Sequence, residues 1–305
     1  MKKILHYLRD FARRPRFAWE LTVGLAFSLL ALWLNESRGG EHTWIDGDPS
    51  ALMRLLKYLG LYGAAFGGGY LLQMVFYPKE KGLRSAGLWM GVVVAVTLFA
   101  VRAWVQPFPL ISGRVSAGYH TVVWKYLYNG AGLILLALPT LLFWWISGDA
   151  RRMPPYGFST RNASLRPYFV LLALMLIPLF WASQQPDFRE MYPRAAHLAL
   201  PADGPYNGWL TALYETIYSL DYVVTEFFFR GFLILYFARF AGEKVILPMC
   251  LFYVVIHFDK PIAEAVSSFF GGMILGVLSL RTGSIYGGII VHLGIALLME
   301  ALGLF

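Results

Sequence analysis

Glu226 and Arg230 stand one helical turn apart inside an apolar run, in Thr225-Glu226-Phe227-Phe228-Phe229-Arg230-Gly231. Two further ionisable side chains, His257 and His292, lie in later apolar segments. Ionised groups at bilayer depth are costly, so where they occur they mark function by default. A carboxylate and two imidazoles can carry out hydrolysis by two routes. Two neutral imidazoles and a carboxylate bind zinc and leave one position for water. Without a metal, a carboxylate–His pair activates water while a second His stabilises the oxyanion. The spacing lacks the local His-Glu-x-x-His signature of a helical zinc site, yet the residues alone leave both routes open. Glu226, His257 and His292 are the candidate catalytic residues. Arg230 is the i, i+4 partner that holds and orients Glu226.

The elements that must position them are helices. On the run 209–239, about 100° per residue puts Glu215, Ser219, Tyr222, Glu226 and Arg230 on one stripe. Lipid cannot satisfy such a stripe, so it faces protein or water. Counting at ~1.5 Å per residue, Glu226 lies roughly 20 Å from Arg239, His257 roughly 18 Å from Val245 and His292 roughly 16 Å from Arg281. Three separate helices thus bring their ionisable groups to a similar depth. Glu264 is a further carboxylate, but Pro261 breaks the helix between it and His257. It reads as a side chain reaching to the interface.

Composition requires the membrane. The 305 residues are 58% hydrophobic and only 14% charged, against about 25% charged in soluble domains. Apolar spans fall at about 17–34, 51–76, 86–105, 120–146, 168–183, 209–239, 245–258, 262–280 and 284–303, with ~30 Å of hydrocarbon to cross. The expected fold is all-α, a polytopic transmembrane bundle of eight to nine spans. The net charge of +8 does not point to nucleic acid. Its cations cluster between spans, at Lys2, Lys3, Arg9, Arg13, Arg14 and Arg16, at Lys79, Lys81 and Arg84, and at Arg151, Arg152, Arg161 and Arg166. That is positive-inside bias, with a cytoplasmic N-terminus in a cell (inner) membrane. The run Phe17–Leu34 is too long for a signal-peptide core and has no small-residue cleavage site after it. The single Cys250 excludes an internal disulfide and packs. Pro154-Pro155 marks a seam between an N-terminal bundle, 1–150, and a functional bundle, 151–305. The clusters Gly60–Gly69 and Gly271–Gly276 let neighbouring helices approach closely.

Three ordered motifs carry a resemblance: Thr225-Glu226-x-x-x-Arg230, Tyr253-x-x-x-His257 and His292-x-x-x-Ala296. With the segment from Gly276 through Thr282-Gly283-Ser284-Ile285, residues about 209–300 resemble the CAAX-protease-and-bacteriocin-processing family of intramembrane peptidases. These are relatives of the type II prenyl-protein endopeptidase. The resemblance implies an intramembrane endopeptidase acting on a membrane-associated or membrane-embedded peptide or protein, glutamic-type rather than metal-dependent, with no cofactor. Zinc stays open from the residues. Two departures matter. The family's first Glu, implicated in activating water, is Thr225 here, and the Asn that helps the last His is Ala296. The expected mechanism therefore has Glu226 and His257 activating water, His292 stabilising the oxyanion and Arg230 fixing Glu226, with Tyr253 and Thr225 in support. The alternative is a catalytically degenerate member that binds a membrane peptide, in an immunity or scaffold role. A proton or ion relay is a third reading, weakened by the lack of internal repeats.

Overall fold

A computed structural model describes residues 1–160, 164–200 and 207–305. Arg161 and positions 201–206 lie outside the described residues. The chain is all-helical where it has regular structure. An amphipathic α1, Lys2–Ala12, precedes α2, Phe17–Ser37. Then come α3, Ala51–Phe76; α4, Ala86–Trp104; α5, Ala117–Ile146; and α6, Arg166–Ala182. The run α7 spans 207–241, followed by α8, Ile246–Val255; α9, Ile262–Thr282; and α10, Tyr286–Leu302.

The helices α2, α3, α4, α5 and α9 are long and apolar enough to cross a membrane, and α6 and α10 are shorter apolar helices. The chain is a multi-pass membrane protein. Its outer side carries the large apolar residues that lipid requires, such as Val75, Trp145 and Ile177. Local chemistry sets several of the helix ends. Ser50 Oγ accepts the Met53 N–H at the start of α3, satisfying one of the free amides there. Pro261 precedes α9, and Gly283 ends it in the left-handed conformation, φ 64°, where an L side chain is strained.

Successive connections alternate between two faces. On the first face, Arg14 meets Glu243 at 3.4 Å, Lys244 meets Glu80 at 2.8 Å and Arg239 meets Asp149 at 2.6 Å; Arg281 also pairs with Glu243. On the second, His42 meets Asp259 at 3.5 Å, Asn35 donates to the Phe258 carbonyl, and Tyr192 donates to Glu264.

The main core mixes residues from both halves of the chain. Phe99 of α4 packs on Phe229 of α7 and Phe252 of α8 at ring distances of 5.5 and 5.3 Å, and Phe66 of α3 reaches Phe252 at 5.5 Å. Inside a bilayer such packing, rather than exclusion of water, drives helix association. Both glycine clusters serve it. Gly69 lies against Pro248, and Gly272 and Gly276 lie against Tyr253 and Met249 of α8. A Cβ on Gly69 or Gly276 would collide with α8. Cys250 is buried and free.

Three elements depart from expectation: α3 and α5 carry π-helical stretches at Gly63–Gly67 and Leu133–Ala137, and α7 carries the longest. The sequence predicts a regular α-helix over 209–239, but residues Phe227–Tyr236 are π-helical, directly after Glu226. Such widened turns are rare and recur at functional sites. Every residue of the widened stretch except Leu235 is buried, so both walls of the turn are packed rather than facing lipid.

Candidate functional site

The carboxylate of Glu226 ends the regular part of α7, and Arg230 lies in the π-helical stretch below it; both are fully buried. Arg230 Nη1 is 3.4 Å from Glu226 Oε1. The guanidinium also sits 4.0 Å from the centre of the Tyr253 ring, a cation–π contact that helps hold a desolvated cation. His292 Nδ1, from α10, lies 2.8 Å from the same Glu226 Oε1. One oxygen of the carboxylate therefore faces two partners. The other, Oε2, is buried without a hydrogen-bond partner and lies over Gly288, one turn before His292. A Cβ at position 288 would overlap it, so glycine makes room for the carboxylate.

Partner chemistry assigns the tautomers. Glu226 is an acceptor, so His292 Nδ1 carries a proton, and Nε2 is the ring nitrogen turned away from the carboxylate. The Tyr253 hydroxyl is 3.0 Å from that Nε2 and 3.3 Å from Nδ1, along the ring edge. The ring of Tyr222 stands edge-on to His292 at 4.7 Å. His257 Nδ1 donates to the Tyr253 carbonyl at 2.6 Å, which leaves its Nε2 as an acceptor. The His257 ring packs on the Tyr253 ring at 4.6 Å. Tyr253 thus touches Arg230, His257 and His292.

The structure brings Glu226, Arg230, Tyr253 and His292 into direct contact and joins His257 to them through Tyr253. The sequence pairs Glu226 with His257, whereas the hydrogen bond to Glu226 comes from His292. Thr225, next along α7, is half-buried, and Ala296, one turn beyond His292, is buried. Glu264 differs from its expected role as a side chain reaching to the interface. It accepts from the Tyr192 hydroxyl at 3.0 Å and pairs with Lys260 at 3.4 Å, and Lys260 also donates to Tyr192 at 3.1 Å. Burial pushes the Lys260 ammonium down to about 8. Sequence reasoning missed Gly288 and Tyr192. The only sequence signal for the first was the Gly287-Gly288 pair four residues before His292. Among the described residues, no group of three His, Cys, Asp or Glu side chains is placed to hold a metal ion.

Helices α7, α8 and α10 thus gather a carboxylate, a guanidinium, a phenol and two imidazoles in one part of the bundle. Residues 207–298 match the family model of the Rce1-like proteins, type II CAAX prenyl endopeptidase Rce1-like. Over that segment, about a third of the chain, the protein is similar to the Rce1-like CAAX protease family. The match contains Tyr222, Glu226, Arg230, Tyr253, His257, Gly288 and His292. No curated protein and no solved structure matches the chain.

Proposed function

We propose that the protein is an intramembrane endopeptidase that hydrolyses a peptide bond in a membrane-associated chain. The observation that carries this reading is the 2.8 Å bond between Glu226 and His292, buried beside Arg230 and beneath Tyr253. Arg230 keeps Glu226 anionic, and Glu226 fixes the proton of His292 on Nδ1. When peptide binds, the Tyr253 hydroxyl, 3.0 Å from His292 Nε2, turns to the carbonyl oxygen and frees Nε2, which takes a proton from water as the water oxygen attacks the carbonyl carbon. His257 Nε2 accepts the second water hydrogen and aims the attack. The carbonyl oxygen becomes an oxyanion, to which the Tyr253 hydroxyl donates. As the C–N bond breaks, the His292 imidazolium gives its proton to the departing amine, leaving a carboxylic acid and an amine. The contact geometry supports exchanging the roles assigned from sequence, with His292 as the base and Tyr253 at the oxyanion.

The alternating connections support nine crossings, with α6, α7, α8 and α10 added to the five long spans. The basic first face is then cytoplasmic by the positive-inside rule, in a cell membrane. The rival reading, a member that binds a membrane peptide without cleaving it, draws on Thr225 and Ala296. Reconstituted protein with prenylated and unprenylated membrane-anchored peptides in ¹⁸O-water separates the two. Hydrolysis places one ¹⁸O in the new carboxyl group of a shortened product. Binding of the peptides with no product from any of them favours the rival.

A further inference from the structure

Arg194 lies in the connection before α7, ahead of the segment that matches the family model. Its guanidinium stands 5.7 Å from the Tyr192 ring centre, and the next residue, Ala195, packs in one cluster with Tyr214, Tyr218 and Tyr222. Its Nε is buried without a hydrogen-bond partner, and Nη2 has only the weak acceptor Met191 Sδ, at 3.2 Å. The nearby carboxylates are engaged elsewhere. Glu300 accepts the backbone N–H groups of Arg194 and Ala195, at 2.9 and 3.2 Å. Glu264 holds Tyr192 and Lys260. Among the described residues no ion pair within 4.0 Å includes Arg194. A guanidinium stays charged at any working pH and presents a fork that fits a carboxylate. Arg194 as a whole is half-buried, and leaving its buried Nε without an acceptor is costly.

The tyrosines run from this cation to the hydrolytic site. Tyr214 stacks on Tyr218 at 5.6 Å, the Tyr218 and Tyr222 hydroxyls are 2.9 Å apart, and Tyr222 meets His292. We propose that Arg194 is a recognition subsite for a carboxylate of the bound peptide, whether its free C-terminus or an acidic side chain. This deepens the peptidase reading and rests on it for the nature of the ligand. Arg194 supplies the charge, and the hydroxyls of Tyr218 and Tyr222 supply neutral donors that leave the peptide chain directed toward His292.

The test is binding, which proceeds whether or not cleavage follows. Fluorescent membrane-anchored peptides are titrated onto the full chain in lipid nanodiscs in four forms: free C-terminus, C-terminal amide, and each of these with one internal Glu. A charged hydrogen-bonding partner is expected to tighten binding on the order of 10- to 100-fold over the matched neutral peptide. Discrimination by the free C-terminus identifies the chain end as the source, and discrimination by Glu identifies the side chain. In Arg194→Gln the preference should vanish while the neutral peptide binds as before, and Arg194→Lys should keep part of it. Equal binding of all four peptides by the wild type, or a preference that survives Arg194→Gln, overturns the proposal. Carboxylate-selective binding without hydrolysis would leave this subsite standing and defeat only the peptidase reading.

Discussion

Replacing Gly288 by alanine tests the proposed hydrolytic site without touching any reacting group. The added Cβ would overlap Glu226 Oε2, 3.1 Å from its Cδ and 3.5 Å from Arg230 Cγ. A free glutamate would swing aside. This one is held at Oε1 by His292 and Arg230, so the methyl must displace the carboxylate or push α10 away from α7. Overpacking of this kind costs about 1–3 kcal/mol, offset by about 1 kcal/mol from replacing glycine in a helix. The expected stability loss is therefore about 0–2 kcal/mol. The effect on turnover should be far larger. Moving Glu226 off His292 Nδ1 removes the group that sets the tautomer of the base, and general-base losses are about 10²–10⁴-fold. Gly271→Ala is the matched control, because a Cβ there meets nothing within 4 Å; it should gain up to about 1 kcal/mol with unchanged turnover. Thermal unfolding in detergent and cleavage of a reporter peptide are measured on the same preparations. A folded Gly288→Ala protein with wild-type turnover would refute the reasoning.

Two further outcomes follow from the same contacts. Arg230→Ala should cost about 3–5 kcal/mol in unfolding experiments, because it strands the buried Glu226 carboxylate; a loss below about 1 kcal/mol would contradict that. On the second face, the hydrogen bond to Asp46, with the charges of Asp259 and Glu41, raises His42 from 6.5 to about 9. A group with a raised folded pKa stabilises fully below its unfolded value and loses that contribution as pH rises through the folded one. Protection of the turn 41–46 against hydrogen exchange, corrected for intrinsic rate, should thus hold near pH 6 and fall as pH rises from 6.5 to about 9. The side chain is largely exposed, so the change should stay under about 1 kcal/mol. Protection unchanged up to pH 10, or a fall of the same size in His42→Gln, would contradict the link.

Much of the architecture was legible because a bilayer imposes a length and a hydropathy on each element. The ends of α2, α3, α4, α6 and α9 fall within three residues of their sequence limits. Glu226, Arg230 and His292 were legible for the same reason, since ionisable groups stand out in apolar runs. The Glu226–Arg230 pair was legible too, but the histidine that joins it was not. A helical wheel at 100° per residue cannot anticipate the π-helical turn after Glu226, and no local pattern tells which histidine reaches the carboxylate across helices. Tyr253 was visible only as a motif position. Its role as the shared neighbour of Arg230, His257 and His292 depends on how α8 packs against α7 and α10. Glu264 was obscured by the break at Pro261, and its partner Tyr192 is 72 residues away in sequence.

The most direct measurement of the central claim is a double-mutant cycle on turnover with Glu226→Gln and His292→Asn. If the carboxylate acts through the imidazole, each single change should cost about 10²–10⁴-fold. The double variant should then be no slower than the worse single, because residues that act as one unit lose their effect together. Losses that multiply, or a Glu226→Gln protein that cleaves at the wild-type rate, would contradict the account.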